Sequence, residues 1–260
     1  MTRTFNRPIR RVVVKLGSSQ IVDGRLRPKI KKLGLLAKQV AKLHKKHIEV
    51  ILVSSGAIAL GMGELKERER PTELAALQAR AAIGQAVLMR LYCELFGKEH
   101  LKCGQVLLTW DDFEKRHFLN ARNALEAILK QGVVPIINEN DTTSTEEIKF
   151  GDNDKLSALV ARSLHADLLV ILSDVPGFYN QDKQVIEKIE QITPEIYTMS
   201  SGTLNIRIAR GGMRTKIHAI DVATQAGIPC IITDGSEDDV LWRLVNKRES
   251  LGTHFIEIKG

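Results

Sequence analysis

Runs of apolar, mostly β-branched residues alternate along the chain with amphipathic segments of helical periodicity. The apolar runs predict strands at residues 11–17, 49–54, 104–109, 133–138, 168–173 and 229–233. The segments between them predict helices at about 28–47, 74–98, 118–131, 154–165, 213–226 and 236–247. Near-continuous apolar strands separated by helices are typical of parallel sheets covered on both faces. The pattern therefore predicts an α/β fold, a three-layer α/β/α sandwich with a mainly parallel central sheet.

Polar and glycine-rich stretches follow several of these predicted strands. They are KLGSS at 15–19, SSG at 54–56, NENDTTSTEEIKFGDND at 138–154, SD at 173–174 and RGGMRTK at 210–216. In open α/β sheets, ligands bind beyond the carboxyl ends of the strands. The sequence therefore predicts a ligand site at this edge, and the acidic and amide residues of 138–154 are its most unusual part.

The residue types in these stretches suit an anionic ligand. Glycines beside serines at helix N-termini let backbone N–H groups approach an anion, which the helix dipole also favours. Lys15 and Lys216 supply compact positive charge suited to phosphoryl oxygens. The same glycines are common in ordinary turns and caps, so each alone is a weak sign. Neither G-x-x-x-x-G-K-[ST] nor G-x-G-x-x-G occurs, which argues against a P-loop enzyme or a dinucleotide binder.

Composition narrows the class of protein. The chain has 260 residues, 43% of them hydrophobic, which is enough to bury a full core. No apolar run approaches the roughly 20 residues of a membrane span, and the basic N-terminus lacks a signal-peptide core. Three scattered cysteines suit a reducing compartment, so we expect a soluble cytoplasmic protein without a membrane partner. No histidines have metal-ligand spacing.

The net charge of +7 permits nucleic-acid binding without requiring it. The most basic segment, residues 27–47, has its apolar residues at helical spacing and its lysines on the other face. No aromatic residues are interleaved with these charges, so base stacking is not indicated. We expect no nucleic-acid partner.

The order and spacing of five stretches resemble the glutamate 5-kinases, a branch of the amino acid kinase family. The stretches are VVVKLGSS, VSSGAIALG, VVPIINEND, FGDNDKLSALVA and GGMRTKIHAIDVATQAGI. FLNARNAL at 118–125 and GTHF at 252–255 are also similar, so the resemblance covers about residues 10–256. The lysine-glycine start and the SGA turn are shared across the family, whereas the NEND and GDND pair is particular to this branch.

The resemblance implies the amino acid kinase fold in a single domain, 1–260. A glutamate-binding part would span about 1–165 and a nucleotide-binding part about 166–260. It implies transfer of a phosphoryl group from ATP, with Mg²⁺ as cofactor, to the γ-carboxylate of L-glutamate, which is the first step of proline biosynthesis. It also implies a homo-oligomer (dimer or tetramer) and feedback inhibition by proline. The sequence assigns no protein ligand to Mg²⁺.

The resemblance also implies roles for individual residues. The catalytic residues would be Lys15 and Lys216 on the transferring phosphoryl group, with Asp154 holding both lysines. Asp141 would accept from the α-ammonium of glutamate, and Ser55 and Asn153 would donate to its carboxylates. The full glutamate-binding set is Ser55, Gly56, Asn138, Asp141, Asp152 and Asn153. The nucleotide-binding set is Lys15, Gly17, Ser173, Asp174, Arg210, Gly211, Gly212, Met213, Arg214, Thr215 and Lys216.

The sequence departs from the family pattern in two places. Many members carry a further C-terminal domain of the type found in RNA-modifying proteins, whereas this chain stops after GTHF, so we expect a kinase-only form. The nucleotide loop, typically G-T-G-G-M, reads ARGGM at 209–213, so its leading glycine and threonine are replaced. Arg210 could lie near the nucleotide phosphates or point into solvent, and we expect it to face solvent.

The sequence leaves alternative functions open. The chain could be another kinase of the family, acting on acetylglutamate, aspartate, uridylate or isopentenyl phosphate. It could be a regulatory protein that binds an amino acid without catalysis, or a nucleic-acid binder, which only the net charge favours. Lys15, Lys216 and Asp154 argue against a purely regulatory protein, because sensing needs no phosphoryl clamp.

Overall fold

The strands of this chain form one central sheet. The structure is a computed structural model that describes residues 8–113, 115–143, 153–201 and 212–257. Within those ranges the strands are β1 (Arg11–Leu16), β2 (Glu49–Ser54), β3 (Cys103–Leu108), β4 (Val134–Glu139), β5 (Leu168–Ser173), β6 (Lys188–Ile189), β7 (Cys230–Asp234) and β8 (Thr253–Phe255). Their order in the sheet is β3-β4-β2-β1-β5-β7-β8-β6. The β7–β8 pair is antiparallel and the other pairs are parallel, which confirms the predicted fold class.

Helices cover both faces of the sheet. They are α1 (Ser18–Ile21), α2 (Ile30–His44), α3 (Ala57–Glu64), α4 (Leu74–Lys98), α5 (Lys115–Lys130), α6 (Asn153–Ser163), α7 (Pro194–Ser201), α8 (Met213–Gln225) and α9 (Val240–Trp242). A 3-10 turn at Trp110–Phe113 and a π-helical turn at Arg243–Lys247 complete the helical elements of the described ranges. None of the helices in these ranges is long and apolar enough to cross a membrane.

Alternate residues of the central strands pack into two separate hydrophobic cores, one on each face of the sheet. Val12 and Val14 of β1 join the core beneath α2, α4 and α9, whereas Val13 joins the core beneath α5, α6 and α8. All three valines are fully buried. Both faces of β1 are therefore covered, which explains why its sequence is continuously apolar instead of alternating.

The carboxyl ends of the central strands meet at one edge of the sheet. Lys15, near the end of β1, pairs in register with Val53 of β2 on one side and Ile171 of β5 on the other. The polar residues that follow these strands are consequently brought to the same edge. This arrangement positions the candidate site.

The end of the chain differs from the sequence prediction. The helix expected at 236–247 begins only at Val240, because Asp239 adopts a left-handed conformation with φ 50°. The buried side chain of Gln39 supplies an acceptor for the first N–H groups of the turn: its Oε1 lies 2.8 Å from the N of Leu241 and 3.3 Å from that of Trp242. The short strands β6 and β8 were not predicted either.

Helices α3 and α4 pack backbone against backbone. A Cβ atom built on Gly84 would lie 1.7 Å from the carbonyl oxygen of Ala57, and one on Gly61 would lie 2.0 Å from that of Arg80. No side chain fits at either position unless the two helices separate. The close approach brings the buried face of α4 to the carboxyl ends of β2 and β4, where the buried hydroxyls of Ser54 and Tyr92 are 2.8 Å apart.

Candidate active site

A carboxylate and two ammonium groups meet at the carboxyl edge of the sheet. Lys15 Nζ lies 2.7 Å from Asp154 Oδ1, and Lys216 Nζ lies 3.6 Å from Asp154 Oδ2. Strand β1 supplies the first lysine, the first turn of α6 the aspartate, and the first turn of α8 the second lysine. All three side chains are buried. The structure thus brings the three predicted catalytic residues together; their role in catalysis stays a prediction.

The charges of this group depend on one another. Burial raises the pKa of Asp154, but Lys15, Lys216 and the hydroxyl of Thr215 together hold that pKa below its usual value. Burial lowers the pKa of Lys15; Asp154 opposes that shift and Lys216 reinforces it. The two ammonium groups and the carboxylate of Asp154 sum to one positive charge, and the exposed carboxylate of Asp174 acts on Lys15 more weakly, raising its pKa. Because buried charge is costly unless it is paired, the site favours an anionic ligand.

Thr215, in the first turn of α8, contacts Asp154. Its Oγ1 lies 2.7 Å from Asp154 Oδ2 and 2.9 Å from the carbonyl oxygen of Gly212, so its one hydroxyl proton has two acceptors. The resemblance placed Thr215 among the nucleotide-binding residues; its hydroxyl contacts the carboxylate of Asp154, and a contact with nucleotide stays a prediction. Asp154 is therefore oriented by α8 through two residues, Thr215 and Lys216.

Side-chain amides form the neighbouring part of the site. The Nδ2 of Asn153 lies 2.9 Å from Asn138 Oδ1, 3.0 Å from Ser55 Oγ and 3.3 Å from the carbonyl oxygen of Ser54. The N–H of Glu139 donates to Asn138 Oδ1 and to Asn153 Oδ1, at 2.9 and 3.2 Å. The structure thus joins Ser55, Asn138 and Asn153, although Asn153 is bonded to protein groups; direct donation to a ligand stays a prediction.

Asp141 lies just beyond β4 and is half-buried. Burial raises the pKa of its carboxyl to about 7, the neighbouring Glu139 adds to the increase, and Arg70 opposes it. A carboxyl with this pKa gains from a cation beside it, because the cation favours its ionised form. Asp141 therefore has the electrostatics expected of an acceptor for an ammonium group.

Two glycines shape the backbone around these side chains. Gly56 caps α3 with φ 99°, and a Cβ there would lie 3.0 Å from Cβ of Ile21 in α1. A side chain at this position would be both strained and crowded. Gly17 caps α1, and a Cβ built on it would lie 3.7 Å from the Nζ of Lys15. Glycine is therefore required by conformation and space at Gly56, whereas a Cβ at Gly17 would make only an ordinary contact with Lys15.

The predicted nucleotide residues lie at the ends of β5 and the start of α8. Ser173 is buried, and its Oγ lies 3.2 Å from Oδ1 of the exposed Asp174. Gly212 caps α8 and is exposed, as is Arg214, whereas Met213 packs against the apolar core. Asp152, Arg210 and Gly211 lie outside the described residues, so their predicted roles stay predictions.

One polar residue near the site was missed by the sequence analysis. Gln85 of α4 is buried and lies 2.8 Å from Asn138, with its Oε1 accepting from Nδ2. The signal was present: Leu77, Ala81, Leu88 and Tyr92 occur at helical spacing around it on the buried face of α4. A glutamine at a core position needs a hydrogen-bond partner, which points to a nearby polar site.

A resident metal site is not found in the described part of the chain, where no group of three or more His, Cys, Asp or Glu side chains could hold an ion. The carboxylate of Asp174 is exposed at the edge of the sheet. A single carboxylate fits Mg²⁺ that takes most of its ligands from nucleotide phosphates and water.

Relatives of known function match nearly the whole chain. The glutamate 5-kinase of Clostridium acetobutylicum is 41% identical over 255 residues, covering 95% of this chain and 95% of that protein. The glutamate 5-kinase of Deinococcus radiodurans is 44% identical over 253 residues, covering 95% of this chain and 69% of that protein. A model described as the amino acid kinase family matches residues 10–234.

Solved structures of lower sequence identity share the fold. A carbamate kinase from Giardia lamblia bound to AMP-PNP superposes with a TM-score of 0.67 at 18% identity, covering 96% of this chain and 99% of that chain. A UMP kinase from Bacillus anthracis gives a TM-score of 0.62 at 16% identity, covering 97% and 98%. From the family model and the curated relatives, this chain belongs to the amino acid kinase family and, within it, to the glutamate 5-kinases.

Proposed function

We propose that this chain transfers the γ-phosphoryl group of ATP to the γ-carboxylate of L-glutamate, forming γ-glutamyl phosphate in the first step of proline biosynthesis. The observation that carries the proposal is the buried Lys15–Asp154–Lys216 group beside the amides of Asn138 and Asn153. Cations that can hold a phosphoryl group are thus adjacent to polar groups that can hold an amino acid. The identity of the curated relatives supports glutamate as that amino acid.

The reaction needs positioning and charge neutralisation. An oxygen of the γ-carboxylate attacks the γ-phosphorus, the bond from that phosphorus to the bridging oxygen breaks, and ADP leaves with the electron pair. The nucleophile is already an anion, so no general base is required. The main obstacle is repulsion between this anion and the triphosphate, which Lys15 and Lys216 would offset.

Asp154 would act on the lysines and not on the substrates. Two ammonium groups that hold one phosphoryl group repel each other, and a carboxylate that forms ion pairs with both offsets that repulsion and helps to fix their positions. The nucleotide would contact Ser173, Asp174 and the start of α8. The chain would then have a glutamate part, 1–165, and a nucleotide part, 166–260. Mg²⁺ bound to the nucleotide, with Asp174 as the candidate protein ligand, would neutralise phosphate charge.

The glutamate part would use Asp141 and Ser55. The ionised carboxylate of Asp141 would accept from the α-ammonium, and the Ser55 hydroxyl and backbone N–H groups would donate to the carboxylates. We also propose that proline competes for these groups, that the chain forms a homo-oligomer and that it acts in the cytoplasm. Relief of proline inhibition by excess glutamate, and sedimentation of the purified protein, test the first two points.

Substrate choice tests the proposed function. Purified protein should release ADP only with glutamate and Mg²⁺ present, and aspartate should react about 100-fold more slowly. Aspartate is one methylene shorter, so its carboxylate falls short of in-line geometry when its α-groups are anchored. Acetylglutamate and RNA, added singly, serve as controls. Equal rates with glutamate and aspartate would refute the assigned pocket.

The pKa of Asp141 predicts a pH dependence of glutamate binding. With a pKa of about 7, this carboxyl is mostly ionised at pH 8 and mostly protonated at pH 6. The α-ammonium of glutamate keeps its charge over that range, so the KM for glutamate should rise about 10-fold from pH 8 to pH 6.

Asp141→Asn is the matched control, because its amide keeps the shape of the carboxyl without its titration. Its KM for glutamate should be high and nearly constant over the same range. The KM for ATP provides an internal reference in both proteins. A wild-type KM for glutamate that does not change with pH would exclude Asp141 as the ammonium acceptor.

A further inference from the structure

Gln85 is a buried polar side chain that the proposed reaction does not use. It lies on α4, a helix that contributes none of the site residues predicted from the sequence. Gln85 is only 8% exposed. Its neighbours on the same helix face are apolar core residues. A buried amide costs stability unless its donors and acceptors are satisfied, so its partners indicate what it does.

Those partners form a directed chain of amides. Gln85 Nε2 donates to Gln105 Oε1 at 3.3 Å, and Asn138 Nδ2 donates to Gln85 Oε1 at 2.8 Å. Asn153 Nδ2 donates to Asn138 Oδ1 at 2.9 Å, and the N–H of Glu139 donates to Asn153 Oδ1 at 3.2 Å. We name the three buried members, Gln85–Asn138–Asn153, the amide relay; Gln105 is the exposed partner of Gln85 and lies outside it. The relay runs from α4 to the candidate glutamate site.

The relay fixes which way each buried amide faces. Asn138 presents its NH₂ to Gln85, so its oxygen faces Asn153, and this requires the NH₂ of Asn153 to face Asn138. The second N–H of Asn153 then points to the Ser54–Ser55 turn, where Ser55 Oγ lies 3.0 Å away. An amide accepts only through oxygen and donates only through nitrogen, so reversing one member breaks the bonds of its neighbours.

We propose that Gln85 is a positioning residue for glutamate binding: through Asn138 it sets the orientation of Asn153 and so holds the Ser55 hydroxyl and the end of β4 in place. This inference rests on the proposed function, because it takes Ser55 and the end of β4 as parts of the glutamate pocket. Gln85 itself is not assigned any contact with substrate.

The packing of α4 makes this role possible. Gly84, the preceding residue, lies directly against Ala57 in the first turn of α3, with no space for a side chain between the helices. Tyr92, two turns farther along α4, reaches Ser54 at the end of β2. The buried face of α4 therefore holds the ends of β2 and β4 together, with Gln85 on the glutamate side.

The test compares Gln85→Met with Gln105→Met. Methionine keeps the approximate length of glutamine but can neither donate nor accept in this geometry, so Gln85→Met should raise the KM for glutamate about 10-fold. The kcat and the KM for ATP should stay within about 3-fold, because the phosphoryl site is unchanged. Gln105→Met removes only the exposed partner outside the relay, so it should keep the wild-type KM for glutamate within about 2-fold.

A conservative variant separates positioning from mere packing. Gln85→Glu keeps an oxygen for Asn138 Nδ2, and the exposed Gln105 can turn its NH₂ toward the new carboxyl. Its KM for glutamate should therefore lie closer to the wild-type value than that of Gln85→Met. If Gln85→Met does not fold, the KM for glutamate is compared between Gln85→Asn and Gln85→Glu. Asparagine is too short to reach Asn138, so Gln85→Asn should have the higher KM.

Two different failures are distinguishable. Wild-type protein without glutamate-dependent ADP release would refute the proposed function itself. An active wild type with an unchanged KM for glutamate in Gln85→Met would refute only the positioning role. A double variant with Asn138→Ala gives the final check: its KM should equal that of Asn138→Ala alone, and multiplicative effects would show that Gln85 does not act through Asn138.

Discussion

Replacing Asp154 by asparagine should lower kcat about 10²–10³-fold while the KM values for ATP and glutamate change only a few-fold. The substitution nearly keeps the shape of the side chain but removes the charge between Lys15 and Lys216, which lie 2.7 and 3.6 Å from its oxygens. The lysines would then repel each other without compensation as charge develops in the transition state. Lys15→Ala and Lys216→Ala should show the same pattern.

A double variant tests whether Asp154 acts through the lysines. Asp154→Asn combined with Lys216→Ala should lose less activity than the product of the two single losses, because the carboxylate works by placing the ammonium group. Lys188→Ala is the control: Lys188 lies on β6 and its ion pair with Glu190 is exposed, so kcat should be unaffected. Fully multiplicative losses would mean that Asp154 acts independently of Lys216.

Substitution of Gly84 by alanine should reduce the free energy of unfolding by roughly 3 kcal/mol, the upper end of ordinary overpacking. The new Cβ would lie 1.7 Å from the carbonyl oxygen of Ala57, and backbone cannot move aside as a flexible side chain can. Helices α3 and α4 would have to separate. Denaturant unfolding followed by circular dichroism measures the change.

Gly97→Ala is the matched control, because Gly97 belongs to the same helix and a Cβ built on it meets no atom within 4 Å. Alanine there should be neutral or stabilising by about 0.5–1 kcal/mol, since it lowers the entropy of the unfolded chain. Equal stabilities of Gly84→Ala and Gly97→Ala would contradict the close packing of the two helices.

The central strands were predictable because burial on both faces gives each of them a continuous apolar run in the sequence. The apolar runs at 49–54 and 168–173 have no polar alternation, and both became strands with the predicted bounds. Strands β6 and β8 were not predictable in this way. They have two and three residues, and β8 depends on antiparallel pairing with β7, a contact that no local pattern specifies.

The candidate site likewise has residues that could be predicted from the sequence and contacts that could not. Polar residues at strand ends, such as Lys15 and Asn138, could be located from the sequence because parallel topology sends all strand ends to one edge. The pairing of Lys216 with Asp154 was implied only by family resemblance, since nothing local relates α8 to α6. The bond between Gln85 and Asn138, 53 residues apart, could not be predicted because it depends on the packing of α4.

The central place of β1 has a consequence for how this chain must fold. Its two edges are completed by β2 and by β5, and the N–H of Arg10 reaches the carboxylate of Asp167 across 157 residues. During synthesis, one edge of β1, with its unpaired backbone N–H and C=O groups, therefore stays open until β5 has left the ribosome. Parallel pairings of such long separation form slowly, and open strand edges pair readily with other chains. The partly synthesised chain is consequently the stage at which this protein is most prone to aggregate.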